Sequence, residues 1–555
     1  MNRTRTVSAP ALTGLALLTL ALTATGPVAA QGAAPKPVTF SAFFADPNAN
    51  WNGMQDEIGR VITAKTGVTL KAEFAVGSPD EKINLIAASG QYPDLISPKG
   101  AGGVLVDAGA MLDLTDLINR YAPNIKRIMG KEFDRMRFSN RDRGIYFIPT
   151  NDPIGQTYFD TDAWFKLQLG ALKEQKYPQV RTLKDYEKVI ATYVKAHPKT
   201  PDGRPTIGLS LLADDWRFLI SVTNPAFWAT GGSDDGEWYI DPKTYKATLH
   251  FFRPEEREYF RWLNHMNDIG LLDPESFTQK YDQYLAKIAS GRVVGLIDAG
   301  WQIGDAVNAL KAAGKTEQMY GRFGVTTKPG IRPAYNQPTG FVGGWGIGIT
   351  KACKDPVAAI KFLDYLASPE GQVLKNWGIK GKHYTVQGSK RVIPAAVLKQ
   401  KNTNPAAFQR TTGIGNYNIS VRYGDGVKDQ SGNYYTTTYP EQIIDAYTPA
   451  EKAALKAYKA RLWNDLLPKA SSFQPKAWGA AWSIQVPQDN PLNEFFNKEQ
   501  DITRRAIPKM ILGKPADFDR AYDAFLAELD SKLGKYAVME TELIKDRLKL
   551  WGVIK

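Results

Sequence analysis

At 555 residues, with 23% charged and 43% hydrophobic residues, the chain is too long for one ordinary core and too apolar for disorder, so at least two lobes are expected. Its formal net charge of +13 falls on lysines scattered through amphipathic stretches, with no run of five like charges. That pattern reads as a solvated surface rather than a nucleic-acid arm. A single cysteine, Cys353, excludes an intrachain disulfide.

The N-terminus places Arg3 and Arg5 before the apolar run "ALTGLALLTLALTATG" and small residues at Val28 and Ala30. This order reads as a secretory signal over residues 1–30, cut near Ala30 and Gln31. The region holds no cysteine for a lipid anchor, so a periplasmic or secreted protein, free of the membrane, is expected. No later stretch approaches the roughly 20 apolar residues of a spanning helix.

Next, "KPVTFSAFF" predicts a strand, and residues 51–66 predict a helix with Met54, Ile58, Val61 and Ile62 on one face, closed by Gly67. "VTLKAEF" alternates as a half-buried strand. Ser78, Pro79 and Glu81 form a capping box for a helix ending at Gly90, and "YPDLIS" follows as a short strand. Strand and helix in alternation argue a layered α/β sheet with right-handed crossovers.

The middle is richer in helix, and "YLAKIASG" leads into the strand Val293–Ile297, which ends at Asp298 and Trp301. "TKACKDPVAA" sets Cys353 just before a helix start at Asp355 and Pro356, with no histidine close by, which disfavours a thiol nucleophile. "GDGVKDQSGNYY" predicts a turn, since its acids lack the spacing of a calcium loop. Phe518, Tyr522, Phe525, Leu526, Leu529 and Leu533 keep helical spacing behind a cap at Asp517.

In this order the segments become recognisable. "LIAASGQYPDLISPKG", "GIYFIPTNDPIGQTYFDTDAWFKLQL", "YLAKIASGRVVGLIDAGW", "FVGGWGIGITKACKDPVAAIKFLDYLASPEGQ", "WGIKGKHYTV" and "FDRAYDAFLAELDSKLG" resemble, one after another, segments of the family 1 extracellular solute-binding proteins. The last two are similar to the large-bodied branch of that family. The resemblance implies an α/β, two-lobed clamshell of the type II periplasmic-binding-protein kind. It implies an N-terminal lobe of residues 36–153 plus 345–415 and a C-terminal lobe of 157–340 plus 416–555, joined by crossings near 153–157, 340–345 and 400–420. It also implies capture of a sugar or other small solute and delivery to the membrane subunits of an ABC importer by a monomer. The missing lipidation cysteine departs from the branch and bears on attachment, not fold.

Open α/β sheets bind ligands beyond the carboxyl ends of their strands. The loops expected there carry Trp51, Asn52, Lys99, Asn151, Asp152, Asp215, Trp216, Asp298 and Trp301, with Trp345 at the hinge and, through the resemblance, Trp482. Flat aromatic faces beside amides and carboxylates are the chemistry that sugars require. A polysaccharide-active enzyme, a glycosidase or lyase, would need two converging carboxylates. The pairs Asp214–Asp215 and Asp234–Asp235 exist, but their convergence is not legible in sequence. The four histidines (His197, His250, His265 and His383) lack metal-site spacing, so neither a metal nor a cofactor is expected, and no nucleic-acid partner.

Overall fold

The computed structural model describes residues 35–341 and 343–555; the signal read over residues 1–30 lies outside them. Strands run in chain order as β1 (Val38–Phe44), β2 (Val68–Phe74), β3 (Leu95–Ser97), β4 (Ile148–Pro149), β5 (Phe165–Gln168) and β6 (Ile207–Ser210). They continue as β7 (Trp238–Ile240), β8 (Ala247–Leu249), β9 (Val293–Ile297), β10 (Tyr320–Phe323) and β11 (Gly346–Ile349). One sheet has the order β2-β1-β3-β11-β4, another β10-β5-β9-β6. β1 is parallel to β2 and β3, and β11 returns antiparallel between β3 and β4. In the second sheet β6 and β9 are parallel, while β5 opposes β9 and β10 opposes β5.

Each sheet has its own core. Phe40, Ile58, Leu95, Ile148, Ile347 and Leu363 cluster around the first. Phe165, Ile190, Tyr259, Leu296, Phe323, Tyr522 and Leu548 cluster around the second. The chain is two-lobed because no single layer of side chains could cover both sheets. Tyr417 and Val421 belong to the first core, and Tyr439 packs with Trp377 on the same side. The boundary expected at 415/416 therefore falls too early, since the apolar anchors of this stretch fill the first lobe. The long helix Phe518–Leu550 belongs to the second lobe, with Phe518, Tyr522, Phe525, Leu529 and Leu533 buried. Asp517 makes no cap there; its carboxylate pairs with Arg520 instead.

The crossings lie side by side. Residues 154–157 run against 422–425: Ile154 N–H donates to the Arg422 carbonyl at 2.9 Å, Gly424 N–H to Ile154 at 2.8 Å, and Thr157 N–H to Asp425 at 2.8 Å. Residues 336–341 run against 464–479, with Lys476 N–H donating to the Pro338 carbonyl at 3.0 Å. Gly344 sits where an added Cβ would meet the Ser483 carbonyl oxygen at 2.1 Å, so only glycine permits that approach.

Local signals held to differing degrees. Gly67 (φ 74°) and Gly90 (φ 68°) close their helices in the left-handed conformation. Ser78 accepts the Glu81 N–H at 3.4 Å, the Ser78 half of the expected box. The first helix starts at Glu57, not 51, because Met54 takes φ 63° and Asp56 supplies the cap on Gly59 N–H at 2.7 Å.

Beneath the hairpin β7–β8 lies a buried ionisable cluster. His250 is held between Glu256 (2.5 Å) and Glu237 (2.8 Å). Burial opposes its charge, but the two carboxylates outweigh that and raise it to about 10. Burial pushes the Glu540 carboxyl up to about 8, with the Asp235 charge adding, and raises Glu256 and Glu499 as well. Each of these groups binds its proton more tightly folded than unfolded. The His250 contribution is complete below its unfolded pKa, about 6.5, and is lost towards 10; the Glu540 contribution is lost between about 4.5 and 8. Both slopes have one sign. The urea midpoint is therefore expected to be higher at about pH 5.5 than at about pH 8.5, and Glu540→Gln should flatten the decline between about pH 6 and 8. A midpoint that rises across this range would contradict the assignment.

Candidate functional site

The carboxyl ends of β1, β2, β3 and β4 meet at one edge of the first sheet, and β11 starts there. They frame a depression of about 460 Å³ lined by Asp46, Asn48, Asn50, Trp51, Ser97, Thr150, Gln409, Asn416 and Asn418. Its amides are pre-set by one another: Asn48 Nδ2 donates to Asn416 Oδ1 at 3.3 Å, and Asn50 Nδ2 to Gln409 Oε1 at 2.8 Å. Trp51 lines this depression and also packs on the core, its ring 6.1 Å from Phe74 and 5.7 Å from Tyr417. Asn52 serves the backbone: its amide donates to the Arg410 carbonyl at 2.9 Å, and its oxygen accepts the Gln55 and Asp56 N–H groups.

The second lobe answers with an aromatic platform beyond the ends of β6 and β9. Trp216 and Trp301 stack at 6.0 Å with 14° between planes, 42% and 65% exposed. Arg217 lies over Trp216 at 4.8 Å and over Tyr281 at 4.1 Å, and its guanidinium pairs with Asp215. Asp215 takes φ 45°, a left-handed conformation that a non-glycine residue adopts only under local constraint.

Where the crossings pass between lobes, Trp345 and Trp482 meet edge to face at 4.9 Å. Lys99 lies 5.1 Å over Trp345 and 2.6 Å from Asp46. Asp234 accepts the Trp482 indole N–H; burial pushes its carboxyl up while Lys476 opposes the shift. Tyr158, 47% exposed, has its hydroxyl raised by burial and by the charges of Asp152, Asp234 and Asp425. Asn151 is exposed, with its amide 3.1 Å from Asp152.

Asp298 departs from the expectation of a cleft-facing acid. It is 0% exposed and accepts from Tyr284 Oη at 2.9 Å, Gln302 Nε2 at 2.8 Å and Ala299 N–H at 2.7 Å. Burial raises its carboxyl to about 6 against those hydrogen bonds. The strand end therefore divides its two residues, turning the acid inward and the indole outward.

The proposed acid pairs are occupied too. Asp214 is held by Lys280 at 2.8 Å, and Asp235 is buried against Lys476 at 2.9 Å and Trp478 Nε1 at 3.1 Å. Cys353 is buried, its thiol pushed up to about 11, which suits packing rather than nucleophilic attack. Among the described residues no group of three or more His, Cys, Asp or Glu side chains is arranged to hold a metal ion.

Sequence reasoning missed Asn48, Asn50, Gln409, Asn416 and Tyr158. The first two stand in "DPNANW", where three polar side chains in six residues after a strand were a usable signal. Gln409 and Asn416 follow no strand of the sheet, and only the tertiary fold brings them in.

The profile of the family described as bacterial extracellular solute-binding protein matches residues 46–373. The chain belongs to that family. This solute-binding protein is 24% identical over 219 residues to the fructooligosaccharide ABC transporter substrate-binding protein FusA of Streptococcus pneumoniae serotype 4 (strain ATCC BAA-334 / TIGR4), a match spanning 37% of the chain and only 39% of FusA. It is 22% identical over 441 residues to lipoprotein LipO of Bacillus subtilis (strain 168), covering 75% and 81% of the two chains. In fold it matches FusA in complex with kestose at TM-score 0.66 and 18% identity, over 92% of this chain and all of that one. It matches the alginate-binding protein AlgQ2 at TM-score 0.61 and 19% identity, over 92% and 98%.

The exposed indole and the buried acid of one turn separate binding from folding. Trp301→Ala is expected to change stability by less than about 1 kcal/mol and to weaken ligand binding at least tenfold or so, by analogy with stacked aromatics. Asp298→Ala leaves a hydroxyl, an amide and a backbone N–H without their acceptor. It should cost roughly 2–4 kcal/mol with little effect on affinity in the protein that remains folded. Calorimetric titration beside urea unfolding checks both, and the reverse pattern would show Trp301 to be a packing residue.

Proposed function

We propose that this protein captures an oligosaccharide between its lobes and delivers it to an ABC importer, without chemically altering it. The observation that carries this reading is the combination of an indole platform on the second lobe, Trp216–Trp301, an indole pair at the crossings, Trp345–Trp482, and an amide-lined depression on the first lobe. Indole faces pack on the apolar C–H surfaces of sugar rings, while amides and carboxylates exchange hydrogen bonds with hydroxyls. Two platforms suit more than one ring. Trp51, Lys99, Asn151, Asp152, Asp215, Trp216, Trp301, Trp345 and Trp482 are the sequence-derived residues retained for the site; Asn48, Asn50, Gln409, Asn416 and Tyr158 join them.

The names of the relatives agree with this class, FusA being a fructooligosaccharide-binding transporter component. Capture rather than catalysis is supported by the engagement of Asp214, Asp215 and Asp235 in ion pairs. A monomer released outside the cytoplasm completes the reading. No helix among the described residues is long and apolar enough to cross a membrane.

Closure follows from the crossings. Paired backbone at 154–157 and 422–425, flanked by Gly155 (φ 73°) and Gly426 (φ 91°), concentrates dihedral freedom where the lobes join. A ligand touching both lobes favours the closed arrangement by its differential contacts. A thermal-shift panel of di- to hexasaccharides followed by small-angle scattering tests the proposal. At least one saccharide should raise the melting temperature in proportion to ln of its concentration above saturation, and the same ligand should lower the radius of gyration. No shift with any saccharide, or binding with an unchanged radius, would defeat the capture or the closure part respectively.

A further inference from the structure

The protein is strongly basic, yet three cations bordering its cleft are paired with carboxylates. Lys99 is 2.6 Å from Asp46, and Arg217 pairs with Asp215. Lys476 is buried between Asp235 at 2.9 Å and the Asp234 carbonyl at 2.7 Å. Arg422 donates to the carbonyls of Thr150 and Asn151, with Asp152 and Asp425 in charge range. Arg410, at the outer rim, donates to the Ala49 carbonyl at 3.2 Å. Lys375, whose amine makes no hydrogen bond among the described residues, is 0% exposed inside the first lobe and presents nothing to a ligand.

Asp152, Asp234 and Asp425 all act on the half-exposed Tyr158 hydroxyl. We infer that the cleft is built for uncharged oligosaccharides and rejects uronates, because the cations beside its indoles, Lys99, Arg217 and Lys476, are each already paired with a carboxylate. A hydroxyl can donate to a carboxylate and accept from an amide or indole N–H, so a neutral sugar satisfies this lining on both counts. A uronate carboxylate would lose its water, find the cations beside the indoles already paired, and meet the carboxylates that pair them. The basic net charge then belongs to the outer surface and not to recognition. This inference rests on the oligosaccharide reading above and sharpens it, since the fold neighbours include both an alginate binder and a kestose complex.

The test is calorimetric titration of the purified protein with neutral oligosaccharides (kestose, maltotriose, xylotriose) and with oligouronates of equal length (trigalacturonate, alginate trimers), at low and moderate salt. At least one neutral sugar should bind, with affinity changing less than about twofold with salt, and every oligouronate should bind at least about tenfold more weakly. An oligouronate that binds as tightly as the best neutral sugar, or whose affinity drops steeply with salt, overturns the inference while leaving oligosaccharide capture standing. Failure of both groups to bind defeats the capture reading itself, and this inference with it. A second readout uses Asp46→Asn and Asp215→Asn, which release Lys99 and Arg217. In each, the ratio of oligouronate to neutral affinity should rise several-fold, and an unchanged or lower ratio counts against the inference.

Discussion

Arg422, where the chain leaves the first lobe, takes the carbonyls of Thr150 and Asn151, and this grip ties the outgoing and returning crossings together. The first sheet ends at Pro149, so these carbonyls are the first with no strand partner to accept from. A guanidinium supplies several donors in a fixed plane and can serve two acceptors at once. It aligns residues 150–157 with 422–425, and that alignment lets Tyr158 and Asp152 stand at the opening. Without it the outgoing strand would leave the first lobe with its backbone unsatisfied and its direction unset.

The same logic, a buried polar group orienting an exposed one, governs the turn at the end of β9. Asp298 is taken out of water, where its ionisation is disfavoured, and is compensated by Tyr284, Gln302 and Ala299. Lys166 meanwhile holds the Asp298 carbonyl at 2.6 Å. These bonds fix the first turn of the helix Gly300–Ala312, and a helical turn sets Trp301 about 100° from its neighbour. Asp298 therefore faces the core and fixes the turn from which the exposed Trp301 indole emerges.

What was legible in the sequence followed local physics. Glycines in left-handed positions after helices were readable at Gly67 and Gly90, because that constraint lies within a few residues. Strand patterning located β1, β2, β3 and β9, and the loops after β3 and β9 carry Lys99 and Trp301. Burial decided the failures. Nothing local distinguishes Asp298 from an acid at a cleft; its partner Tyr284 lies a helix earlier and Gln302 a turn later. Asn52 read as a ligand amide but is spent on a carbonyl contributed by Arg410, 358 positions away. Tyr417 looked like part of the second lobe by position, and its hydroxyl on Asp56 at 2.7 Å ties it to the first. Each error concerns a contact between segments far apart in sequence, where pattern carries no information about which surface faces which.

The C-terminal helix constrains how the lobes can move. Its Arg547 is buried and donates to the Phe138 carbonyl and, at 2.6 Å, to the Gln485 carbonyl, while Arg135 of the first lobe lies 4.5 Å over Trp551. Burial lowers the Arg547 guanidinium to about 10, still charged at neutral pH. Stripping a buried charge of its acceptors costs on the order of 3–5 kcal/mol, about half of the roughly 8 kcal/mol with which a micromolar ligand binds. Closure that broke this contact would consume that share of the ligand's binding free energy. Closure that rotates about it would not, and Gly343 (φ 72°) and Gly344, which line the same small cavity as Arg547, supply backbone able to turn there. Closure of the lobes would have to preserve this contact, which leaves the Trp216–Trp301 platform and the amide-lined depression as the surfaces free to approach each other.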